Sequence, residues 1–398
     1  MKEWVTHKEL YLAYLECRRN KRGSNSCEEF EQDEAANIDA LWYELNSMKY
    51  EIGISITFII INSKAREVFA ADFRDRVVHH FLIRRIGEIL KSHFIQDTYS
   101  CIKGRGNLYG IKRLYKNMQE FPDYYNVRLD IQGFFYCINK NILWKMLEKV
   151  LKEEYKQNDL EYILWLTQLI VMHKPQYNCE KHGNEKLWLL LDPTRSLFTC
   201  GDDFGLAIGN LTSQYFANFY LSGYDWHMYC LYKELFRRYV DDTDTLCKKE
   251  EIGKVITEQR NYLKNELGAT LHPKKVFIQP VKHGILFIGQ YIKKDRIYTN
   301  NETVNNAFGL VKEYNKLVDE PDIEEWIERF AQRMNSYLGF LKYTHSYAIR
   351  WNLWNFIDKK FKKYFYMTDR MSIVKVKKDY KLRNRLKQKY GKKRIRKR

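Results

Sequence analysis

Three aspartates stand where strand-like segments of the sequence end. Asp130 follows residues 127–129, and Asp241 and Asp242 interrupt residues 236–247 as the two tip residues of a hairpin would. In two-metal phosphoryl transfer, carboxylates from separate strands hold two cations about 4 Å apart. Two divalent cations at that distance repel by about 4 kcal/mol even in water, so clustered anions must hold them. The pattern predicts a Mg²⁺ site completed by substrate phosphates, with ordinary aspartate turns as the alternative.

The composition excludes several classes of protein. The chain has 398 residues, of which 45% are hydrophobic and 15% aromatic, so it can fill a large core and is not disordered. The longest apolar run, residues 52–61, is half the length of a membrane-spanning helix and predicts a strand. Residues 1–10 lack a secretory signal, and the eight cysteines form no CxxC pair. We expect an intracellular protein with reduced thiols and no membrane partner.

Most of the positive charge lies near the C-terminus. Residues 351–398 contain 19 Lys and Arg against 3 Asp and Glu, or +16 of the total +18. Such a segment predicts contact with nucleic-acid phosphates, and its interleaved aromatic rings predict stacking on bases. A solvated tail without a specific partner is the alternative. The cations assigned to nucleic acid are Lys377, Lys378, Arg383, Arg385, Lys392, Lys393 and Arg394, and the rings are Tyr364, Phe365, Tyr366, Tyr380 and Tyr390.

The apolar periodicity predicts alternating helices and strands. Residues 1–50 favour helices, and residues 54–69 a hairpin with a turn at Asn62-Ser63. Strands are predicted at 127–131 and within 236–246. Helices are predicted at 77–90, 142–151, 160–171, 211–221 and across 308–363.

Several motifs occur in the order found in one enzyme family. Tyr239-Val240-Asp241-Asp242 resembles the YxDD motif of reverse transcriptases, and residues 129–135 resemble their first catalytic strand. Residues 66–68 together with 72–80 are similar to the fingers motifs of prokaryotic members, and 271–275 and 287–289 to later palm motifs. The resemblance covers roughly residues 5–355.

A more specific resemblance lies in residues 205–214, GLAIGNLTSQ. Most reverse transcriptases have PQGxxxSP here, so Ile208 replaces the usual Gln and Gln214 the usual Pro. With Arg195-Ser196-Leu197-Phe198 upstream, the loop resembles that of reverse transcriptases from diversity-generating retroelements. These enzymes copy a template-repeat RNA with errors at adenines. Ala207 stands where that family normally has Pro.

The resemblance implies an α+β fold of the right-hand polymerase type. We expect an N-terminal helical segment with fingers at 1–125, and a palm with an antiparallel sheet at 126–300 that carries a helical insertion at 141–205. A helical thumb at 301–370 and a basic tail at 371–398 would follow.

The resemblance also implies roles for individual residues. Asp130 and Asp241 would bind two Mg²⁺ ions, which Mn²⁺ can replace, with the Ile131 carbonyl contributing and Asp242 supporting. The expected nucleotide-binding residues are Arg66, Lys103, Arg105, Phe135, Ile208, Gly209 and Lys274. Phe135 would be a steric gate against the ribose 2′-hydroxyl, or ordinary packing. Lys274 or Lys275 would protonate the leaving pyrophosphate, or simply face solvent.

Fidelity is assigned to Ile208 and Gln214. A glutamine at 208 would offer two donors and one acceptor beside the incoming nucleotide, and isoleucine offers none. Hydrogen-bonding sites discriminate by roughly 10⁴-fold and apolar shape by about 10- to 200-fold, so low fidelity is expected. Core packing of Ile208 is the alternative.

The expected partners follow from the same resemblance. They are template RNA, the primer and its cDNA product, dNTPs, and a small, basic, oligomeric accessory protein. The enzyme would be cytoplasmic and encoded by a prokaryote or phage. A retron-like or phage-defence reverse transcriptase and a catalytically degenerate RNA-binding scaffold are the alternatives.

Overall fold

The structure is a computed structural model that describes residues 2–19, 21–61 and 64–381. The turn predicted at Asn62-Ser63 and the cations from Arg383 onward lie outside these residues. The helices are α1 (His7–Arg18), α2 (Asn25–Gln32), α3 (Glu34–Asn46), α4 (Phe73–Ser92), α5 (Asn107–Glu120), α6 (Phe134–Cys137), α7 (Lys140–Glu154), α8 (Leu160–Met172), α9 (Leu211–Tyr220), α10 (Ser222–Tyr232), α11 (Ile252–Leu267), α12 (Asn301–Asn315), α13 (Ile323–Leu341), α14 (Tyr347–Phe356) and α15 (Lys359–Lys362). The strands are β1 (Ser55–Ile61), β2 (Ala65–Ala70), β3 (Tyr125–Ile131), β4 (Cys179–Lys181), β5 (Phe236–Tyr239), β6 (Asp242–Cys247), β7 (Leu271–Pro280), β8 (Ile285–Phe287), β9 (Gln290–Ile292), β10 (Ile297–Thr299), β11 (Phe365–Thr368) and β12 (Ile373–Val376).

The predicted helices and strands around the three aspartates are confirmed, with shifted ends. Helix α4 begins four residues before the predicted 77 because Asp72 caps it, its side chain accepting a hydrogen bond from the Arg74 amide at 2.9 Å. The predicted helical span 308–363 is four helices, α12 to α15. Strand β4 was not predicted; it pairs in parallel with β1, Ser55 opposite Cys179.

The chain folds as two compact units of mixed α/β structure. The first comprises Met1–Gly106 and Tyr125–Ile278, and the second Asn107–Tyr124 and Gln279–Arg398. The division into fingers, palm, thumb and tail remains a prediction.

The first unit is organised around a four-stranded sheet of order β5-β6-β3-β7. Strands β3 and β6 are antiparallel, with Tyr125 opposite Cys247 and Asp130 opposite Asp242. One continuous core joins this sheet to α4, α7, α8 and α9. Its inner members Val127, Leu129 and Ile131 are fully buried, so burial fixes the register, since a one-residue slip would expose them.

Asp75 ties helix α4 to the segment that leads into β1. Its buried carboxylate accepts hydrogen bonds from the Tyr50 hydroxyl at 2.7 Å and the Gly53 amide at 2.9 Å. Burial raises the pKa of Asp75 to about 6, more than these bonds lower it. The hydrogen bonds of Asp75 therefore hold the segment that leads into β1. Because the buried carboxylate is less stable when charged, its contribution to stability depends on pH.

We expect Asp75→Asn to change stability in a pH-dependent way. Because the folded state holds this proton more tightly, the favourable contribution exists below about pH 4 and is lost as the pH rises through about 6. The unfolding free energy of the variant relative to wild type should therefore rise by about 2 kcal/mol between pH 4 and pH 7. Denaturant titrations at several pH values measure this, and a difference that stays constant with pH would contradict it.

The second unit has its own core, built by α12, α13 and α14 with the hairpin β11-β12. Tyr364 and Phe365 are buried in this core, and the ring of Tyr380 packs edge-on against Tyr364 at 4.8 Å. The expectation that these rings stack on bases is therefore wrong for Tyr364 and Phe365, because apolar burial already uses their faces. Tyr366 is exposed, and Tyr390 lies outside the described residues.

No helix in the part of the chain that the structure describes is both long and apolar enough to cross a membrane.

Candidate active site

The hairpin β5-β6 brings three aspartates to one end of the sheet. Asp130, near the end of β3, lies opposite Asp242 at the start of β6. The Ile131 amide donates a hydrogen bond to the Asp241 carbonyl at 3.2 Å. Directly opposed residues of antiparallel strands have Cβ atoms about 5 Å apart, so the structure clusters these acids.

The tip of this hairpin has a strained backbone. Val240 has a φ of 58°, which costs a residue with a Cβ about 1–2 kcal/mol. Arg238 donates from Nη1 to the Val240 carbonyl at 2.8 Å, and from Nε and Nη2 to the carboxylate of Asp225 at 2.7 and 2.6 Å. Arg238 and Asp225 are completely buried. This ion pair therefore holds the turn that presents Asp241.

The aspartates line a cavity of about 580 Å³, a volume suited to a nucleotide-sized ligand. The cavity is also lined by five further residues expected at the site: Ile131, Phe135, Ile208, Gly209 and Gln214. Within the described residues its cationic side chains are Lys64, Arg66, Arg128, Arg195 and Lys275. Arg128 is paired with the buried Asp244, so four other cations face the three carboxylates and favour a ligand that carries several negative charges.

Loss of hydration, followed by mutual repulsion, raises the pKa of two of the three acids. Burial and the charge of Asp130 raise the pKa of Asp241. The pKa of Asp242 is also raised, first by lost hydration and then by Asp241, although Asp242 stands at the exposed rim. Lys275 forms an ion pair with Asp130. Among the described residues Asp241 and Asp242 form no ion pair, so a bound cation would stabilise both carboxylates.

The acidic donor set fits Mg²⁺ in chemical type. Hard oxygen ligands in small number suit this ion when substrate phosphates complete its coordination. Across residues 2–19, 21–61 and 64–381, no group of three or more His, Cys, Asp or Glu side chains is arranged as a metal cluster. Metal binding by Asp130, Asp241 and the Ile131 carbonyl therefore remains a proposal.

The loop before α9 is shaped by close backbone contacts with β2. The Phe69 amide donates to the Ile208 carbonyl at 3.0 Å. At Gly209, whose φ is 124°, an added Cβ would lie 3.0 Å from the Phe69 carbonyl oxygen, so only glycine fits without strain. Ile208 is half-buried: it lines the cavity and also packs against a small cluster of Phe69, Tyr136, Leu197 and Ala207. Both sequence interpretations of Ile208 thus have a structural basis.

Three predicted nucleotide-binding residues lie away from the cavity. Lys103 is exposed on a loop, and Arg105 donates to the Ile95 carbonyl at 2.7 Å. Lys274 is exposed on β7, while its neighbour Lys275 faces the cavity, because successive side chains of a strand point in opposite directions. Of the two lysines considered, the structure brings Lys275 to Asp130.

Sequence reasoning missed the cavity positions of Lys64, Arg128 and Arg195. Arg128 is paired with the buried Asp244 at 3.2 Å, which an alternating strand pattern could have suggested. Arg195 belongs to a turn far along the chain from Asp130, and no spacing rule connects them. Lys377 and Lys378 are exposed just after β12, in the second unit.

Comparison with known proteins finds no matching family model and no similar curated protein. Among solved structures, the chain is similar to telomerase from Candida albicans in complex with a telomeric RNA fragment, with 11% identity, 78% of this chain and 59% of that chain covered, and a TM-score of 0.41. Apo telomerase from Candida tropicalis is similar with 12% identity and a TM-score of 0.43, and the match covers 76% of this chain and 61% of that chain. This chain thus spans less than two-thirds of those proteins. With TM-scores below 0.5, the functional argument rests on the site.

Proposed function

We propose that this protein is an RNA-directed DNA polymerase with a right-hand polymerase fold. The observation that carries the proposal is the cavity where Asp130, Asp241 and Asp242 meet an excess of cations. Carboxylates beside phosphate-binding cations are what nucleotidyl transfer requires. The motif resemblance of residues 66–80, 129–135 and 239–242 supports the same activity.

The aspartates and Lys275 would have different roles in the reaction. Asp130 and Asp241, with the Ile131 carbonyl, would hold Mg²⁺ or Mn²⁺, and Asp242 would add negative charge at the rim. When bound, such ions activate the primer 3′-hydroxyl and stabilise the departing pyrophosphate. Lys275 would exchange its contact with Asp130 for the phosphates, where it can donate a proton.

Two apolar side chains would select the nucleotide. Phe135 lines the cavity five residues after Asp130, where a ring would exclude a ribose 2′-hydroxyl. Ile208 lines the same space and has no hydrogen-bonding group to offer an incoming nucleotide. A site that discriminates by shape alone accepts mismatches more often.

The finer proposal is a reverse transcriptase of a diversity-generating retroelement. Its support is the sequence 205–214, with Ile208, Gly209 and Gln214 at the cavity. Its partners would be template-repeat RNA, the cDNA primer and product, dNTPs and a small, basic, oligomeric accessory protein. It would act in the cytoplasm and be encoded by a prokaryote or phage.

Primer extension on an RNA template with sequenced cDNA tests both levels of the proposal. The assay contains Mg²⁺ or EDTA, and the accessory protein where one is encoded nearby. Metal-dependent cDNA with errors concentrated opposite adenines is expected. Accurate cDNA would instead favour a retron-like or defence enzyme, and RNA binding without synthesis would favour a scaffold.

The basic C-terminal segment is proposed to bind template phosphates. Its predicted start at 371 cuts through the hairpin, because Val374 and Val376 of β12 are buried in the core. A test should therefore delete only residues 382–398, which contain ten Lys and Arg and no Asp or Glu.

We expect this truncation to weaken RNA binding and flatten its salt dependence. The slope of log K against log salt should fall by about 0.7–0.9 for each lost phosphate contact. Filter binding between 50 and 300 mM salt, with unfolding temperature as the folding control, measures the change. An unaltered slope would show that the segment does not contact RNA.

A further inference from the structure

Two arginines from distant parts of the chain line the cavity. Arg66 lies on β2, and Arg195 ends the short 3₁₀ turn Pro193–Arg195. Among the described residues, neither guanidinium group has a hydrogen bond, and the nearest carboxylate to Arg195 is Asp192, with Nε 3.8 Å from Oδ2. The N–H groups of both guanidinium groups are therefore available to bind a ligand.

Glu67 brings the two segments together. Its carboxylate accepts hydrogen bonds from the Ser196 hydroxyl at 2.7 Å and the Leu197 amide at 2.8 Å. Glu67 is 1% exposed, and Ser196 and Leu197 are also buried. Since Glu67 follows Arg66 and Ser196 follows Arg195, this buried contact holds together the two backbone segments from which both arginines reach the cavity.

The turn that carries Arg195 also abuts the segment after Asp130. A Cβ added at Gly133 would lie 3.5 Å from the Thr194 carbonyl oxygen. The Asp192 side chain caps the turn, accepting from the Thr194 amide at 3.0 Å and its hydroxyl at 2.8 Å. The turn that carries Arg195 therefore lies against a residue only three positions after Asp130 in the chain.

Resting on the proposed polymerase function, we propose that Arg195 binds the triphosphate of the incoming nucleotide together with Arg66, and that Glu67 positions it. Two guanidinium groups of like charge that form no hydrogen bonds within the described residues are stabilised by a polyanion. Each presents a planar fork of donors that matches phosphate oxygens. The insertion 141–205, which contains Arg195, thus completes the nucleotide site.

Single-turnover extension with titrated dNTPs tests this role. Arg195→Ala is expected to raise the apparent Kd for all four dNTPs by about 10- to 100-fold, the value of one charge-assisted contact. The maximal rate should change much less, and Arg195→Lys should recover part of the affinity because it restores charge without the fork. Arg260→Ala is the matched control, since Arg260 is exposed on α11 away from the cavity.

A double-mutant cycle tests the positioning role of Glu67. Glu67→Gln leaves only one oxygen to accept the two hydrogen bonds, so it should weaken dNTP binding in the wild-type background. In the Arg195→Ala background the same change should have almost no further effect on Kd. Independent effects that multiply would show that Glu67 stabilises the fold without acting through Arg195.

Other ligands for Arg195 give different results. A shift confined to one base would indicate base recognition, and weaker template–primer binding with unchanged dNTP Kd would indicate contact with RNA; either overturns the proposal. Equilibrium binding of dATP against dAMP, in Mg²⁺ without primer, separates this inference from the polymerase function. Wild type should prefer the triphosphate and Arg195→Ala should lose that preference, even in a protein that synthesises no cDNA. A wild type that binds both equally would overturn the role of Arg195.

Discussion

Asp241→Asn is expected to reduce primer extension on an RNA template by at least about a thousandfold. Asp241 occupies the tip of the β5-β6 hairpin, and the Ile131 amide binds its carbonyl, so its position relative to Asp130 is fixed by backbone pairing. The amide keeps the size of the side chain and removes the charge that holds a cation. Single-turnover cDNA synthesis in saturating Mg²⁺ is the measurement.

Two comparisons make that result specific. Asp39→Asn removes an exposed carboxylate on α3 that forms an ion pair with His7 at 3.1 Å, and should keep wild-type activity. In EDTA, the unfolding temperature of Asp241→Asn should equal or exceed that of wild type, because the change relieves repulsion from Asp130. A loss of less than tenfold with a folded protein would remove Asp241 from the catalytic site.

Ile208→Gln is expected to lower misincorporation opposite template adenine by about tenfold or more. The side chain lines the cavity that holds the aspartates, where a glutamine amide could hydrogen-bond a correctly placed nucleotide. An incorrect nucleotide would leave that amide unpaired, which costs about 1–3 kcal/mol. Deep sequencing of cDNA copied from one RNA measures the error spectrum.

Ile208→Leu is the matched control for fidelity. It keeps an apolar side chain of the same size against Phe69 and Leu197, so errors at adenines should persist. An unchanged error spectrum in Ile208→Gln, with normal extension and unfolding temperature, would assign Ile208 to packing alone.

The local sequence pattern was sufficient to predict the strands that carry the three aspartates. Val127, Leu129 and Ile131 alternate with polar neighbours, and that alternation predicts β3 because every second side chain must reach the core. The pair Asp241-Asp242 between two strand-like segments predicts the hairpin. Antiparallel pairing then places the acids opposite Asp130 with little freedom.

Contacts between distant segments could not be predicted in this way. Arg195 reaches the cavity because Glu67 binds Ser196 and Leu197, and neither residue has a local pattern that reveals the other. Strand β4 depends on its pairing with β1, since three residues carry almost no periodicity. Which of Lys274 and Lys275 reaches the cavity depends on which side of β7 is turned toward it, and the sequence does not show this.

The aromatic residues near the C-terminus show the same division. Their spacing among lysines is typical of a nucleic-acid-binding tail, yet Tyr364 and Phe365 are buried in the core of the second unit. The sequence shows that aromatic and charged residues are neighbours along the chain. Whether a ring is buried depends instead on which residues pack against it in the folded protein. Tyr366 alone among the described rings of this set is exposed.

The sequence by itself was enough to predict most of the strands and helices, the acidic hairpin and the apolar side chain at position 208. These features depend only on residues that are close to one another along the chain. Only the tertiary structure decided which cations join Asp130 and Asp241 in one cavity. Charges on Arg66, Arg195 and Lys275 meet there because buried hydrogen bonds and strand register, acting over more than a hundred residues, overcome the repulsion that would otherwise separate them.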